Sequence, residues 1–194
     1  MNRHATVSRT TRETNVEVTI DLDGTGVTDI ATGVGIYDHL LSSFAHHGMF
    51  DLTVRTEGDL HIDEHHIVED TALVLGSAID EALGDRSGIT RFAGASVPMD
   101  EALATCVIDA GGRPYAVFEL QFVGERIGTM GTQMIPHALE SLIRTSRSTV
   151  HLSASGANDH HIAEAAFKAY GIALRGAVAL DPQRVGIPST KGTL

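Results

Sequence analysis

The sequence is poor in cysteine and in long apolar runs. Cys106 is the only cysteine among 194 residues, so no intramolecular disulfide can form and a reducing cytoplasm is expected. Its apolar setting is typical of a small core residue of a strand. No apolar run approaches the roughly 18 residues that a membrane span needs. Residues 1–6 lead directly into polar, strand-like sequence, and we therefore expect no signal peptide.

Positive charge is also scarce. The chain has 14 Lys and Arg against 25 Asp and Glu, a formal net charge of −11. Nucleic acid is thereby disfavoured as a partner, because phosphate backbones require basic surfaces. Apolar residues make up 42% of the chain, an ordinary globular composition for one domain or two small fused ones.

An internal repeat dominates what is present. His65, His66 and Glu69 recur with the same spacing as His160, His161 and Glu164, and the apolar residues after them match as well, including Gly76 with Gly171. Both copies open a helix-periodic run, which Asp63 and Asn158 are placed to cap. A further histidine precedes each copy in a similar setting, at His39 and His137.

The spacing within each copy is suited to metal binding. Residues four apart share a helix face, so His65 and Glu69 can bind one ion together. Adjacent histidines diverge by about 100° around the axis, which favours two ions with each pair split between them. One predicted set is His39, His65, Glu69 and one histidine of the second pair; the other is His137, His160, Glu164 and His66. Whether the sets form within one chain or between neighbours stays open.

Hydrophobic periodicity predicts strands, a helix, a strand and a helix in each half. The first half reads as strands at 5–11, 15–22 and 27–32, a helix at 37–47, a strand at 49–56 and a helix at 64–83. The second reads as strands at 89–97, 103–109 and 114–121, a helix from 136 to about 147, a strand at 149–153 and a helix from 158 to about 181. We predict an α+β fold of two duplicated half-units, 1–94 and 95–194, in one compact domain.

The few cations and one acidic turn suggest further roles. Arg91, Arg113, Lys168 and Lys191 would form a phosphate-binding pocket if they lay together. Lys168 follows Glu164 by four residues, and a simple helix ion pair is an equal alternative. The terminal segment 187–192 is either a frayed end or an anion-binding loop. Glu13 could be an ordinary solvated turn residue.

The motifs together resemble the imidazoleglycerol-phosphate dehydratases of histidine biosynthesis over essentially the whole chain. The matching segments are 12–14, 38–39, 44–48, 58–60, 65–71, 98–103, 112–115, 158–164, 167–168 and 188–192. Departures occur at residues 35–37 and at Ile67, none of which is a charged or ligand residue.

The resemblance implies helices packed between two four-stranded sheets, a fold like domain 2 of ribosomal protein S5. It implies an octahedral 24-mer with active sites between subunits and two Mn²⁺ per active site. The implied ligands are His39, His65, Glu69 and His161 for one ion, and His66, His137, His160 and Glu164 for the other. Ligand softness alone would suit zinc equally well.

The implied reaction converts D-erythro-imidazole-glycerol phosphate into imidazole-acetol phosphate. Its hypothetical course runs through an imidazolate bound by both manganese ions and a diazafulvene-like intermediate. Resemblance assigns catalysis to Glu13, His46, His47 and Glu164. It assigns substrate and phosphate binding to Glu13, Arg91, Arg113, Lys168, Ser189, Thr190 and Lys191.

Two other classes of protein use similar residues. A dimetal hydrolase would activate a bridging water and would need no imidazole in its substrate. A metal-storage shell would bind metal at subunit interfaces without turnover, which leaves the scattered cations unexplained.

Overall fold

Four helices lie between two four-stranded sheets in the computed structural model, which describes residues 3–194. The first half contains β1 (His4–Thr10), β2 (Thr14–Asp21), β3 (Thr28–Ala31), α1 (Gly35–Gly48), β4 (Asp51–Gly58) and α2 (His65–Leu83). The second contains β5 (Phe92–Met99), β6 (Ala102–Asp109), β7 (Tyr115–Leu120), β8 (Arg126–Ile127), β9 (Met130–Gly131), α3 (Met134–Ser146), β10 (Thr149–Ser155) and α4 (Asp159–Val178).

The two large sheets have the same topology, which confirms the predicted duplicated α+β fold. Their strand orders are β1-β2-β4-β3 and β5-β6-β10-β7. In each, the last pair is parallel and the other pairs are antiparallel. The predicted 94/95 boundary falls within β5, and the loop 84–91 separates the two sets of elements. The short β8–β9 hairpin was not anticipated, because two-residue strands leave no periodic signal.

Alternation along the central strands directs one face of each sheet to the helices. Val16, Val18 and Ile20 of β2 are buried, whereas the residues between them are not. Cys106 is buried on the inner face of β6, and burial raises the pKa of its thiol to about 12. The prediction of a core residue is therefore confirmed, and at neutral pH the thiol stays protonated.

Each short helix packs on the long helix of the opposite half: α1 on α4, and α2 on α3. Matched glycines permit these close crossings. A Cβ atom on Gly171 would lie 2.2 Å from the carbonyl oxygen of Phe44, and one on Gly76 would lie 2.3 Å from that of Leu142. Among residues 3–194, none of the helices combines the length and apolarity that a bilayer crossing requires.

Candidate active site

Side-chain caps fix the starts of the two long helices. Asp63 accepts a hydrogen bond from the amide of His65 at 2.8 Å, and Asn158 accepts one from the amide of His160 at 2.9 Å. The predicted cap at Asn158 is confirmed, whereas the N-cap residue of α2 is Glu64 and Asp63 acts from one residue before it. Both side chains satisfy amides that would otherwise lack partners at a helix N-terminus. Each long helix therefore begins at a defined residue, with its histidine pair in the first turn.

The first cluster joins α1 to α4. Nε2 of His39 lies 2.9 Å from Oε2 of Glu164, and Nε2 of His160 lies 3.1 Å from the same oxygen. The two imidazole rings stack with centroids 5.3 Å apart. We call His39, His160 and Glu164 the α1/α4 triad.

The second cluster joins α2 to α3. Nε2 of His65 lies 3.8 Å from Oε2 of Glu69, and Nε2 of His137 lies 3.5 Å from Oε1. The imidazole centroids are 4.8 Å apart. We call His65, Glu69 and His137 the α2/α3 triad.

Within one chain, these triads group the histidines differently from the sets drawn from the sequence, which left open whether each set forms within one chain or between neighbours. Those sets placed His39 with His65 and Glu69, and placed His137 with His160 and Glu164. Within one chain the structure exchanges His39 and His137, because each short helix packs on the long helix of the other half. The repeat identifies equivalent residues, but it does not say which copies pack together.

A lysine balances the charge of the α1/α4 triad. Nζ of Lys168 lies 2.7 Å from Oε1 of Glu164. Burial of Glu164 would raise its pKa, but hydrogen bonds from Lys168 and His39 outweigh this effect and hold the pKa at about 2. Lys168 thus forms the helix ion pair that the sequence left open.

The second histidine of each pair lies outside both triads and contacts a different carboxylate. Nδ1 of His66 lies 2.9 Å from Oδ2 of Asp59, and Nδ1 of His161 lies 2.9 Å from Oε2 of Glu101. The hydrogen bond that His66 donates to Asp59 raises the pKa of His66, and the hydrogen bond from His161 lowers the pKa of Glu101 to about 2. Sequence reasoning assigned these carboxylates no role, although both stand in motifs that carry the resemblance.

Glu13 lies next to His66 on an exposed turn. Oε2 of Glu13 is 3.8 Å from Nε2 of His66. The turn is anchored to α2, because the hydroxyl of the neighbouring Thr14 donates a hydrogen bond to the buried Asp70 on that helix. Glu13 therefore stands beside the end of α2 that carries His65 and His66.

His46 and His47 occupy the last turn of α1. Their rings meet edge to face at 5.4 Å, and Nδ1 of His46 lies 3.2 Å from the carbonyl oxygen of Gly26. Burial, followed by the positive charge of Lys168, lowers the pKa of His47. His47 is therefore a neutral imidazole at neutral pH, able to accept or donate a hydrogen bond.

The predicted phosphate-binding residues divide into two places within one chain. Arg91 binds Asp109 through Nε at 2.7 Å and donates from Nη1 to the carbonyl oxygen of Pro188 at 2.7 Å, which brings residues 189–191 alongside. Arg113 approaches the same aspartate at 3.9 Å. The amide of Arg91 donates a hydrogen bond to the carbonyl oxygen of Ala177 on α4. Ala177 is nine residues from Lys168, or roughly 13 Å along the helix axis, so Lys168 lies apart from the other cations.

The chemistry of both triads suits a divalent metal. Imidazole nitrogens and a carboxylate are common ligands of Mn²⁺ and Zn²⁺. Within each triad, the three candidate ligand atoms lie within 4.8 Å of one another. Nε2 of His137 is buried and has no hydrogen-bond partner within residues 3–194. A buried nitrogen of this kind is costly unless something binds it, and a metal ion would do so.

Comparison with known proteins identifies the class. The family model for imidazoleglycerol-phosphate dehydratase matches residues 32–174. The chain is 56% identical to the imidazoleglycerol-phosphate dehydratase of Thermobifida fusca over 197 residues, covering 100% of both chains. It is 51% identical to that of Methanococcoides burtonii over 192 residues, covering 99% of this chain and 100% of the other.

Solved structures agree. The Staphylococcus aureus enzyme superimposes with a TM-score of 0.83 at 32% identity, covering 92% of this chain and 99% of the other. The Pyrococcus furiosus enzyme, in complex with (S)-C348, gives 0.83 at 35%, covering 97% and 100%. The protein is thus a hydro-lyase. More specifically, the chain belongs to the imidazoleglycerol-phosphate dehydratase family, whose reaction is a step of histidine biosynthesis.

Proposed function

We propose that this chain dehydrates D-erythro-imidazole-glycerol phosphate with two Mn²⁺ ions, one bound at each triad. The observation that carries the proposal is the pair of matched histidine, histidine and glutamate triads at the starts of the long helices. Each triad supplies three protein ligands and a neighbouring copy a fourth, which leaves positions open for substrate on an ion that favours octahedral coordination. The His137 nitrogen that lacks a hydrogen bond is a further reason to expect an ion at the α2/α3 triad.

Assembly is part of the proposal. Within residues 3–194, His66 belongs to no candidate metal group, and His161 groups with Asp100 and Glu101 on the exposed turn before β6, not with either histidine-rich triad. We assign each to a metal site completed by a neighbouring copy, which places the active sites between subunits of a cytoplasmic 24-mer. The ligand residues remain those predicted from the sequence, with His39 and His137 exchanged between the two sets.

The reaction must remove a proton from a carbon that has no neighbouring carbonyl group. Such a proton is only weakly acidic, which makes the reaction difficult. When bound, the two ions supply Lewis-acid stabilisation of negative charge on the substrate's imidazole ring. The ring would give up its N–H proton as the C–O bond beside it breaks, and that proton would join the departing hydroxide to form water. Glu13 would then accept the proton of the next carbon while that C–H electron pair returns to the ring, whose nitrogen is reprotonated, and the resulting enol becomes the ketone. We assign His46 and His47 to holding the departing hydroxyl group and relaying its proton.

Phosphate recognition is assigned to Arg91, Arg113 and the segment Ser189, Thr190 and Lys191. Asp109 keeps the Arg91 guanidinium oriented, and Nη1 of Arg91 bonds to the terminal segment. Such a set can bind a phosphate through several charge-assisted hydrogen bonds. We assign Lys168 a supporting role in substrate binding. It holds Glu164 in place through their ion pair.

The deciding experiment is turnover of imidazole-glycerol phosphate by metal-stripped protein, with and without Mn²⁺, followed by formation of the ketone. Product that depends on Mn²⁺ is the expected result. A metal-loaded protein that forms no product would refute the proposal. Turnover of phosphoesters lacking an imidazole ring would favour a dimetal hydrolase instead.

A further inference from the structure

The two histidines outside the triads share one arrangement. In each, Nδ1 faces a carboxylate oxygen at 2.9 Å, from Asp59 for His66 and from Glu101 for His161. The two carboxylates are not related by the internal repeat. Asp59 follows β4 in the loop before α2, whereas Glu101 lies in the turn between β5 and β6. The same contact has therefore been built twice, from different parts of the fold.

A carboxylate accepting Nδ1–H fixes an imidazole in one tautomer and one orientation. The proton is then held on Nδ1, and Nε2 carries the lone pair that a metal needs. We propose that Asp59 and Glu101 are positioning residues that hold His66 and His161 with Nε2 presented to the metal sites of neighbouring copies. The inference rests on the proposed function, since it presupposes the two metal sites.

The hydrogen bonds of Glu101 favour this role over direct metal binding. Its Oε1 accepts the amides of Ala157 at 3.2 Å and Asn158 at 2.9 Å, while Oε2 accepts from His161. Both oxygens are therefore engaged, and the glutamate is fixed to the segment that leads into α4. Asp100 also lies near Nδ1 of His161, but at 4.0 Å and on an exposed side chain it is too distant for a hydrogen bond.

Asp59 is committed to His66 in a different way. Its Oδ1 is buried and has no hydrogen-bond partner within residues 3–194, so the contact with His66 is its one side-chain hydrogen bond there. Because Oδ1 has no partner in the part of the chain that the structure describes, the hydrogen bond between His66 and Oδ2 is the contact that satisfies this partly buried carboxylate. The Nε2 of His66 is left on the open side, towards the exposed Glu13 at 3.8 Å.

The test is a Mn²⁺ titration of the metal-stripped protein, with free Mn²⁺ read by electron paramagnetic resonance and assembly by light scattering. The unmodified protein should bind two ions per chain. Glu101→Ala should weaken one of them by about 10- to 100-fold, and Asp59→Ala should weaken the other by a similar factor. Glu101→Gln should keep most of the affinity, because its amide oxygen can still accept from Nδ1–H.

Matched controls separate positioning from charge. Asp100→Asn removes the same charge one residue away, and Glu57→Gln removes an exposed charge two residues before Asp59; both should retain two ions at the parental affinity. Parental affinity in both alanine variants would overturn the inference, as would equal weakening of the two ions in either. Fewer than two ions in the unmodified protein would instead overturn the proposed function.

Discussion

The two triads are related by the internal repeat, yet their surroundings differ. Glu164 of the α1/α4 triad is 10% exposed in its side chain and bonds to Lys168 at 2.7 Å. Glu69 of the α2/α3 triad is 30% exposed, its imidazole contacts are 3.5 to 3.8 Å, and the residue four positions on is Leu73. Duplication kept the ligand types and the helix starts but allowed the neighbouring residue to change.

The two triads are therefore held to different degrees by their own protein contacts. Lys168 keeps Glu164 ionised and oriented, and the two histidines already contact it. Within residues 3–194, Glu69 of the α2/α3 triad forms no ion pair with a lysine or arginine, and Nε2 of His137 has no hydrogen-bond partner. We infer that a metal ion contributes more to ordering the α2/α3 triad than the α1/α4 triad.

The largest effect is expected from variants that remove the carboxylate of one triad at a time. Glu69→Ala and Glu164→Ala should each reduce turnover to background and lower bound Mn²⁺ from two ions per chain to one, because each deletes a first ligand. Metal content and turnover measured on purified protein check this. Full turnover with one ion bound would show that the triads do not act together.

Glu13→Gln should separate chemistry from metal binding. Turnover should fall by about 10²- to 10⁴-fold, because the amide cannot accept the proton. Both ions and the assembly should remain, since Glu13 belongs to neither triad. Near-normal turnover in a variant that holds two ions would remove Glu13 from the role of base.

The helix crossings beneath the triads should tolerate no side chain. Gly171→Ala and Gly76→Ala should each lower the free energy of unfolding by about 1–3 kcal/mol, because the added methyl meets backbone carbonyl oxygens. Chemical denaturation measures this. Gly35→Ala is the matched control, since nothing lies within 4 Å of its Cβ position. Equal stability of all three variants would show that the crossings are less tight than described.

Replacement of Lys168 should produce the smallest effect, a change in the stability of the folded state at acidic pH. Glu164 has a folded pKa of about 2 against an ordinary 4.5, so it stabilises the folded state above pH 4.5 and loses that contribution as pH falls towards 2. In the metal-free Lys168→Leu variant the pKa of Glu164 should rise towards its ordinary value. Glu164 should then contribute less to the stability of the folded state, and that contribution should be lost at a higher pH. Unfolding temperatures between about pH 7 and pH 3 test this. Arg144→Leu, which removes an exposed charge, is the control; coincident curves for all three proteins would contradict the assignment.

Much of this architecture follows from local sequence. Alternation in β2 and β6 and the apolar periodicity after His65 and His160 predict the strands and long helices, because burial of one face needs a matching period. Asp63 and Asn158 mark the helix starts through short-range capping. The short β8–β9 hairpin was beyond reach, because two-residue strands carry no periodic signal.

The duplicated α+β fold follows from the sequence, as does the helix spacing that places His65 beside Glu69 and His160 beside Glu164, since these depend on contacts a few residues apart. Only the tertiary structure decided that His39 meets Glu164 and His137 meets Glu69. Helix packing between the two halves sets those distances, and equivalent halves can pack in more than one way. Asp59 and Glu101 likewise became partners of His66 and His161 only once loops distant in the chain were brought together.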